Sequence, residues 1–158
     1  MRSPIVPAEQ IGRLAKAPAA SSALRRFYRA LDAEIASHRP LCWNRGACCR
    51  FGEYGHRLFV TTLELSYFVA GRNGDIRRPA DDRCPYHVDG SCTVRRIRPM
   101  GCRIFFCEPA SQYWQGPLSE RSMAGLRALH DSLRADYVYV DWLLALEQLA
   151  SAGARLRT

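Results

Sequence analysis

The chain has 158 residues, 47% of them hydrophobic, and a formal charge of +8. That length suits one domain, residues 1–158, with a core of its own, so its seven cysteines are not staples for a coreless secreted miniprotein. All but one of the 23 cationic residues are arginine (the exception is Lys16), and they fall in short groups rather than a basic tail. Charge therefore admits nucleic-acid binding without requiring it.

Residues 1–20, with Pro4, Pro7 and Pro18, read as a loose or partly helical lead-in. No apolar run near the start resembles a signal-peptide core. The longest apolar stretch, residues 137–145, is broken by Asp141 and is too short to cross a bilayer. The expected location is cytoplasmic and reducing, with no membrane partner, where cysteine-rich patterns serve metal or redox chemistry more than disulfides.

An amphipathic helix is predicted over residues 21–38, burying Leu24, Phe27, Tyr28, Leu31 and Ile35 at three- and four-residue steps. Leu58, Phe59 and Val60 suit a short strand. Thr61 and Glu64 have capping-box spacing, so a helix is expected over residues 62–70, burying Leu65, Phe68 and Val69. Residues 71–83 are polar and turn-rich. From Cys84 to Cys107, Pro85, Gly90, Pro99 and Gly101 prevent long regular elements, which leaves a metal centre as the natural organiser. Two further helices are expected, one opening at Ser119 and one over residues 136–151, continuous or kinked near Asp136. The fold class is mostly α: a small irregular helical domain around a cysteine-rich segment at 42–107, with C-terminal helices at 119–151 and little or no β.

No cysteine lies before Cys42 or after Cys107, and the spacing is C-x5-C-C-x34-C-x7-C-x9-C-x4-C. Such clustering points to thiolates gathered on a metal ion or an iron–sulfur cluster. No C-x2-C unit occurs, which excludes zinc-ribbon, RING and thioredoxin-type sites. The candidate ligands are Cys42, Cys48, Cys49, Cys84, Cys92, Cys102 and Cys107. Seven thiols exceed the four that one zinc or one cubane needs. Two centres, one centre plus structural thiols, and one centre plus a reactive cysteine all remain open. Cys102 and Cys107 are spaced to grip one centre through a tight loop, and Cys84 and Cys92 are expected to form a second such loop with Asp89-Gly90 as its turn. His87 is placed to complete a Cys/His site or to serve as an ordinary loop histidine, and His56 is a weaker candidate. Arg98 and Arg103 are candidate cofactor-binding residues, placed to donate N–H bonds to thiolate or cluster sulfur, or else to pair with Glu108 or Asp82.

This segment resembles the YkgJ-type cysteine-cluster proteins, described as a zinc- or iron-chelating domain with a CxxCxxCC signature. The resemblance covers residues 42–107. It rests on Cys42, Gly46, Cys48 and Cys49, on Cys84-Pro85-Tyr86, Gly90, Cys92 and Val94, and on the block Arg98-Pro99, Cys102-Arg103, Phe105, Cys107. Arg45 stands where the signature has its second cysteine. The resemblance implies zinc or iron, the latter as an iron–sulfur cluster, and it specifies no reaction.

Three function classes follow. The first is a metal-binding protein with an unidentified protein or peptide partner. The second is a metal- or Fe–S-dependent enzyme of protein or peptide modification, with no catalytic residue singled out. The third is a zinc-stapled basic domain that binds nucleic acid. No G-x-S-x-G, H-E-x-x-H or phosphate-cradling glycine loop is present.

Overall fold

A computed structural model describes residues 2–42 and 49–156. The protein is mostly α, with two small two-stranded sheets. In chain order the elements are α1 (Ala8–Ala15), α2 (Pro18–Ser37), α3 (Phe51–Tyr54), β1 (Phe59–Thr61), α4 (Thr62–Gly71), β2 (His87–Val88), β3 (Ser91–Cys92), α5 (Met100–Ile104), α6 (Gln112–Ser132), β4 (Tyr139–Asp141) and α7 (Trp142–Ser151). Short 3₁₀ turns follow β3 (Arg95–Ile97), α5 (Pro109–Ser111) and α7 (Gly153–Leu156). Among the described residues no helix is long and apolar enough to cross a membrane.

Helix α4 is the axis. Its sequence, TLELSYFVAG, is apolar on every face, as a helix must be when it is surrounded. Leu65, Phe68 and Val69 enter a core shared with α1, α7 and the cysteine segment. Leu63 enters a second core with Leu24, Tyr28 and Leu31 of α2, Met100 and Ile104 of α5, and Leu126 of α6.

The lead-in is more ordered than its prolines suggest. Helix α1 packs on α4, with Ile11 fully buried, and the Val6 amide donates to Gln148 Oε1 at 2.8 Å. Helix α6 begins at Gln112, ahead of the expected Ser119, and carries Pro117 inside it. The lost amide donor is outweighed by burying Trp114 and Leu118, one helical turn apart. The expected helix over residues 136–151 instead opens as strand β4. Arg134 adopts a left-handed backbone (φ 53°) and ends the preceding helix, and Asp141 caps α7 by accepting from the Leu144 amide at 3.1 Å.

Strands β1 and β4 pair antiparallel, Val60 opposite Val140, both fully buried. Each strand runs directly into a helix through a polar cap, Thr61 for α4 and Asp141 for α7. The two halves of the molecule thus use the same strand–cap–helix turn, joined at the strands.

Candidate metal centre

The cysteine segment is held by four local devices. The first is a pair of backbone hydrogen bonds between residues far apart in sequence. The Cys84 amide donates to the Cys49 carbonyl at 2.8 Å, and the Gly52 amide donates to the Asp82 carbonyl at 3.0 Å. Cys49 and Cys84 are both buried and are brought side by side. Gly52 is required for this approach, because a Cβ there would lie 2.8 Å from Asp82 Cβ.

The second device is the β2–β3 hairpin. Asp89 (φ 50°) and Gly90 (φ 78°) form its two-residue turn, both in the left-handed conformation that suits a type I′ hairpin. His87 pairs with Cys92. The Thr93 amide donates to the Tyr86 carbonyl, so the His87–Cys92 pair takes the closer, non-hydrogen-bonded register, with both side chains on one face. The Nε2 atom of His87 is buried and has no hydrogen-bond partner among the described residues.

The third is the seat of α5, which carries Cys102 and Arg103. Glu64, 2% exposed, caps two helices at once. Its Oε2 accepts from the Thr61 amide at 2.8 Å, closing the capping box of α4, and its Oε1 accepts from the Met100 amide at 2.7 Å, the first residue of α5. Burial pushes the Glu64 carboxyl up, and the Met100 and Thr61 amides oppose that shift. Gly101 lets α5 settle on Leu58, since a Cβ there would meet Leu58 Cδ1 at 2.5 Å. Cys102 faces a cleft of about 160 Å³ shared with His56, Phe105 and Tyr139. His56 stacks on Phe105, with ring centroids 5.4 Å apart, and its Nε2 is a second buried imidazole nitrogen without a partner among the described residues.

The fourth is a single donor from the C-terminal half. Trp142 Nε1–H points at Cys84 Sγ at 3.3 Å. An N–H aimed at sulfur favours thiolate character.

The two candidate arginines have separate surroundings. Arg103 is buried and its donors are committed: Nη1 to Asp32 at 2.8 Å, Nε to the Arg98 carbonyl at 2.9 Å, and Nη2 to the Arg96 carbonyl at 3.0 Å. Its Cζ lies 3.9 Å from the Tyr28 ring centroid. Its carboxylate partner is therefore Asp32 of α2 instead of Glu108 or Asp82. Arg103 clamps the cysteine segment to the helical frame. Arg98 has a buried Nε with no partner among the described residues. Burial lowers its guanidinium pKa, as does Arg95, while Cys102 raises it. It is Arg98 that sits in the field of a sulfur.

The remaining thiols are more open. Cys42 beyond α2 and Cys107 beyond α5 are exposed, and Cys92 and Cys102 are half-buried. Cys48, together with Trp43, Arg45 and Gly46, lies outside the described residues. Among the described residues no three Cys, His, Asp or Glu side chains form a group that could hold a metal ion. What is described is two pairs and a group of three: Cys49 with Cys84, His87 with Cys92, and Cys102 with Arg98 and His56.

Spacing alone did not disclose Gly52, the second role of Glu64, the Trp142 donor or His130. The last is fully buried. Its Nε2 accepts from the Leu63 amide at 3.2 Å and its Nδ1–H reaches the Leu126 carbonyl at 2.7 Å, so α6 caps α4 through one neutral imidazole. Only the Thr61–Glu64 spacing gave a signal for any of these. No protein-family model matches the chain, and no curated protein or solved structure does either.

Proposed function

We propose that this protein binds a metal through the cysteines of residues 42–107, as zinc or as iron in an iron–sulfur cluster. Support comes first from the bonded junction of residues 49–52 with residues 82–84, which brings together two cysteines that are distant in sequence. Four thiols, Cys49, Cys84, Cys92 and Cys102, stand on it, on the hairpin and on α5, with Cys107 in the loop that follows. The metal ligands would be drawn from these five, with Cys42 and Cys48 as further candidates.

The donor chemistry suits soft metals. Thiolates select zinc and iron–sulfur clusters, and the orphaned His87 Nε2 adds an imidazole of the kind found in Cys/His sites. Arg98, beside Cys102, and the indole N–H on Cys84 are the outer groups that stabilise negative sulfur. Zinc would make the segment a structural cross-link, and an iron–sulfur cluster would supply electron transfer. A reducing, cytoplasmic setting suits cysteines kept as thiols. The resemblance to the YkgJ-type proteins belongs to this same reading.

The test compares Cys84→Ser and Cys102→Ser with wild type, all prepared without oxygen. Each variant is expected to lose at least half of the bound metal. Full occupancy in both would overturn the ligand assignment. A brown protein containing acid-labile sulfide would select iron–sulfur over zinc.

A further inference from the structure

A cavity of about 670 Å³ lies on the side of α4 where the 3₁₀ turn at Arg95–Ile97 packs. Five arginines line it: Arg25 from α2, Arg72 from the end of α4, Arg77 from the loop beyond, and Arg95 and Arg96 from the 3₁₀ turn. No carboxylate occurs among its described lining residues. The arginines of four exposed ion pairs, Arg50, Arg57, Arg78 and Arg121, lie outside this cavity. Like charges gathered on one wall repel one another and lower stability unless a counter-charge arrives.

The wall is built, not merely charged. Gly71 lets the end of α4 touch the 3₁₀ turn, since a Cβ there would come within 2.5 Å of Ile97 Cγ2. That contact brings the end of α4, next to Arg72, against the turn that carries Arg95 and Arg96. Arg72 is anchored through Nη1 to the Val69 carbonyl, yet its Nε is buried without a hydrogen-bond partner among the described residues. Arg77 is positioned by its amide donating to the Tyr86 hydroxyl at 3.0 Å and by Nη1 reaching the Pro85 carbonyl at 3.3 Å.

We propose that this cavity binds a phosphorylated small molecule carrying at least two phosphate-type charges, such as the diphosphate portion of a nucleotide. Guanidinium groups match phosphate oxygens as bidentate donors. A volume of this size accepts a nucleotide-sized ligand. The orphaned Arg72 donor lacks an acceptor of the kind a phosphate would supply. The site does not depend on the metal reading, although Cys92 lies at its edge.

The test is calorimetric titration of the full-length protein with inorganic pyrophosphate and with ATP, at low and at physiological salt. Wild type is expected to bind both saturably, with affinity falling as salt rises. Arg95→Gln/Arg96→Gln and, from a different element, Arg25→Gln are each expected to weaken binding at least about tenfold, with wild-type circular dichroism and unchanged metal content. Arg13→Gln, outside the cavity, should leave binding unchanged. Absence of saturable binding, or equal affinity in the cavity variants, would overturn the proposal. So would tight binding of a single-stranded oligonucleotide that pyrophosphate fails to displace, which would make the surface a nucleic-acid site.

Discussion

Between Thr62 and Gly71 the backbone is held by its own helical bonds and by apolar side chains from two cores. Between Cys84 and Cys107 the longest regular element is α5, of five residues. The first region would keep its shape through packing alone. The second sends Cys84, Tyr86, Met100 and Ile104 into the two cores and between them is held by single contacts: the Cys84 amide on the Cys49 carbonyl, a two-residue hairpin, the Glu64 carboxylate on the Met100 amide, the Arg103 clamp and one indole N–H on sulfur. A chain that builds a robust helical frame and then lays over it a segment with few internal supports, rich in thiols, leaves room for an inorganic cross-link to do the remaining ordering. The comparison can be broken or sharpened by substitutions placed on either side of the boundary and across it.

The largest effect is expected where the two regions share a residue. Glu64→Ala strands the buried Thr61 and Met100 amides together, and each such donor costs about 1–3 kcal/mol. The loss should therefore be about 2–6 kcal/mol by chemical denaturation, with metal content falling because α5 loses its anchor. If stability falls while metal content stays at the wild-type level, the frame and the cysteine segment are less coupled than the geometry indicates. Gly52→Val acts on the cysteine segment alone. Its side chain collides with Asp82 and pries residues 49–52 from residues 82–84, at a cost of about 1–3 kcal/mol. Metal content should drop further than the stability loss alone would cause.

Trp142→Phe deletes the donor to Cys84 Sγ and leaves a smaller ring in a buried site. The expected cost is about 1–3 kcal/mol, with faster release of metal to a chelator. Unchanged release would show that the indole contributes packing only. His130→Gln tests the frame through pH. Burial lowers the pKa of this imidazole, so the folded protein resists protonating it, whereas the unfolded chain takes up the proton near about pH 6.5. The unfolded state then binds more protons, and stability falls as pH drops from 7 to 5. Urea midpoints at those two pH values should differ less in the variant than in wild type. The smallest effect belongs to Arg121→Ala, which removes an exposed ion pair to Glu34. It should change stability by less than about 1 kcal/mol and leave the metal untouched.

The parts of the molecule legible in the sequence are those written in local periodicity or local chemistry. The repeat of Leu24, Tyr28, Leu31 and Ile35 marks one face of α2, the Thr61–Glu64 spacing marks the start of α4, and Asp89-Gly90 marks the hairpin turn. Each follows from residues a few positions apart. Pro117 misplaced the start of α6, because burial of Trp114 and Leu118 overrides a missing amide donor. The strand at Tyr139–Asp141 stays hidden because its partner, Phe59–Thr61, is nearly eighty residues away and its apolar pattern also suits a helix. The cysteines announce their chemistry by clustering, yet nothing in their spacing tells which meet. That pairing is set by Gly52, Glu64 and Trp142, whose contacts with the segment are tertiary.

The most direct test is elemental and acid-labile sulfide analysis of the wild-type protein purified without oxygen, with the unfolding midpoint measured before and after chelation. The account predicts zinc or iron at a fixed stoichiometry and a lower midpoint once it is removed. Metal-free protein with an unaltered midpoint and every cysteine titrating as a thiol would contradict it.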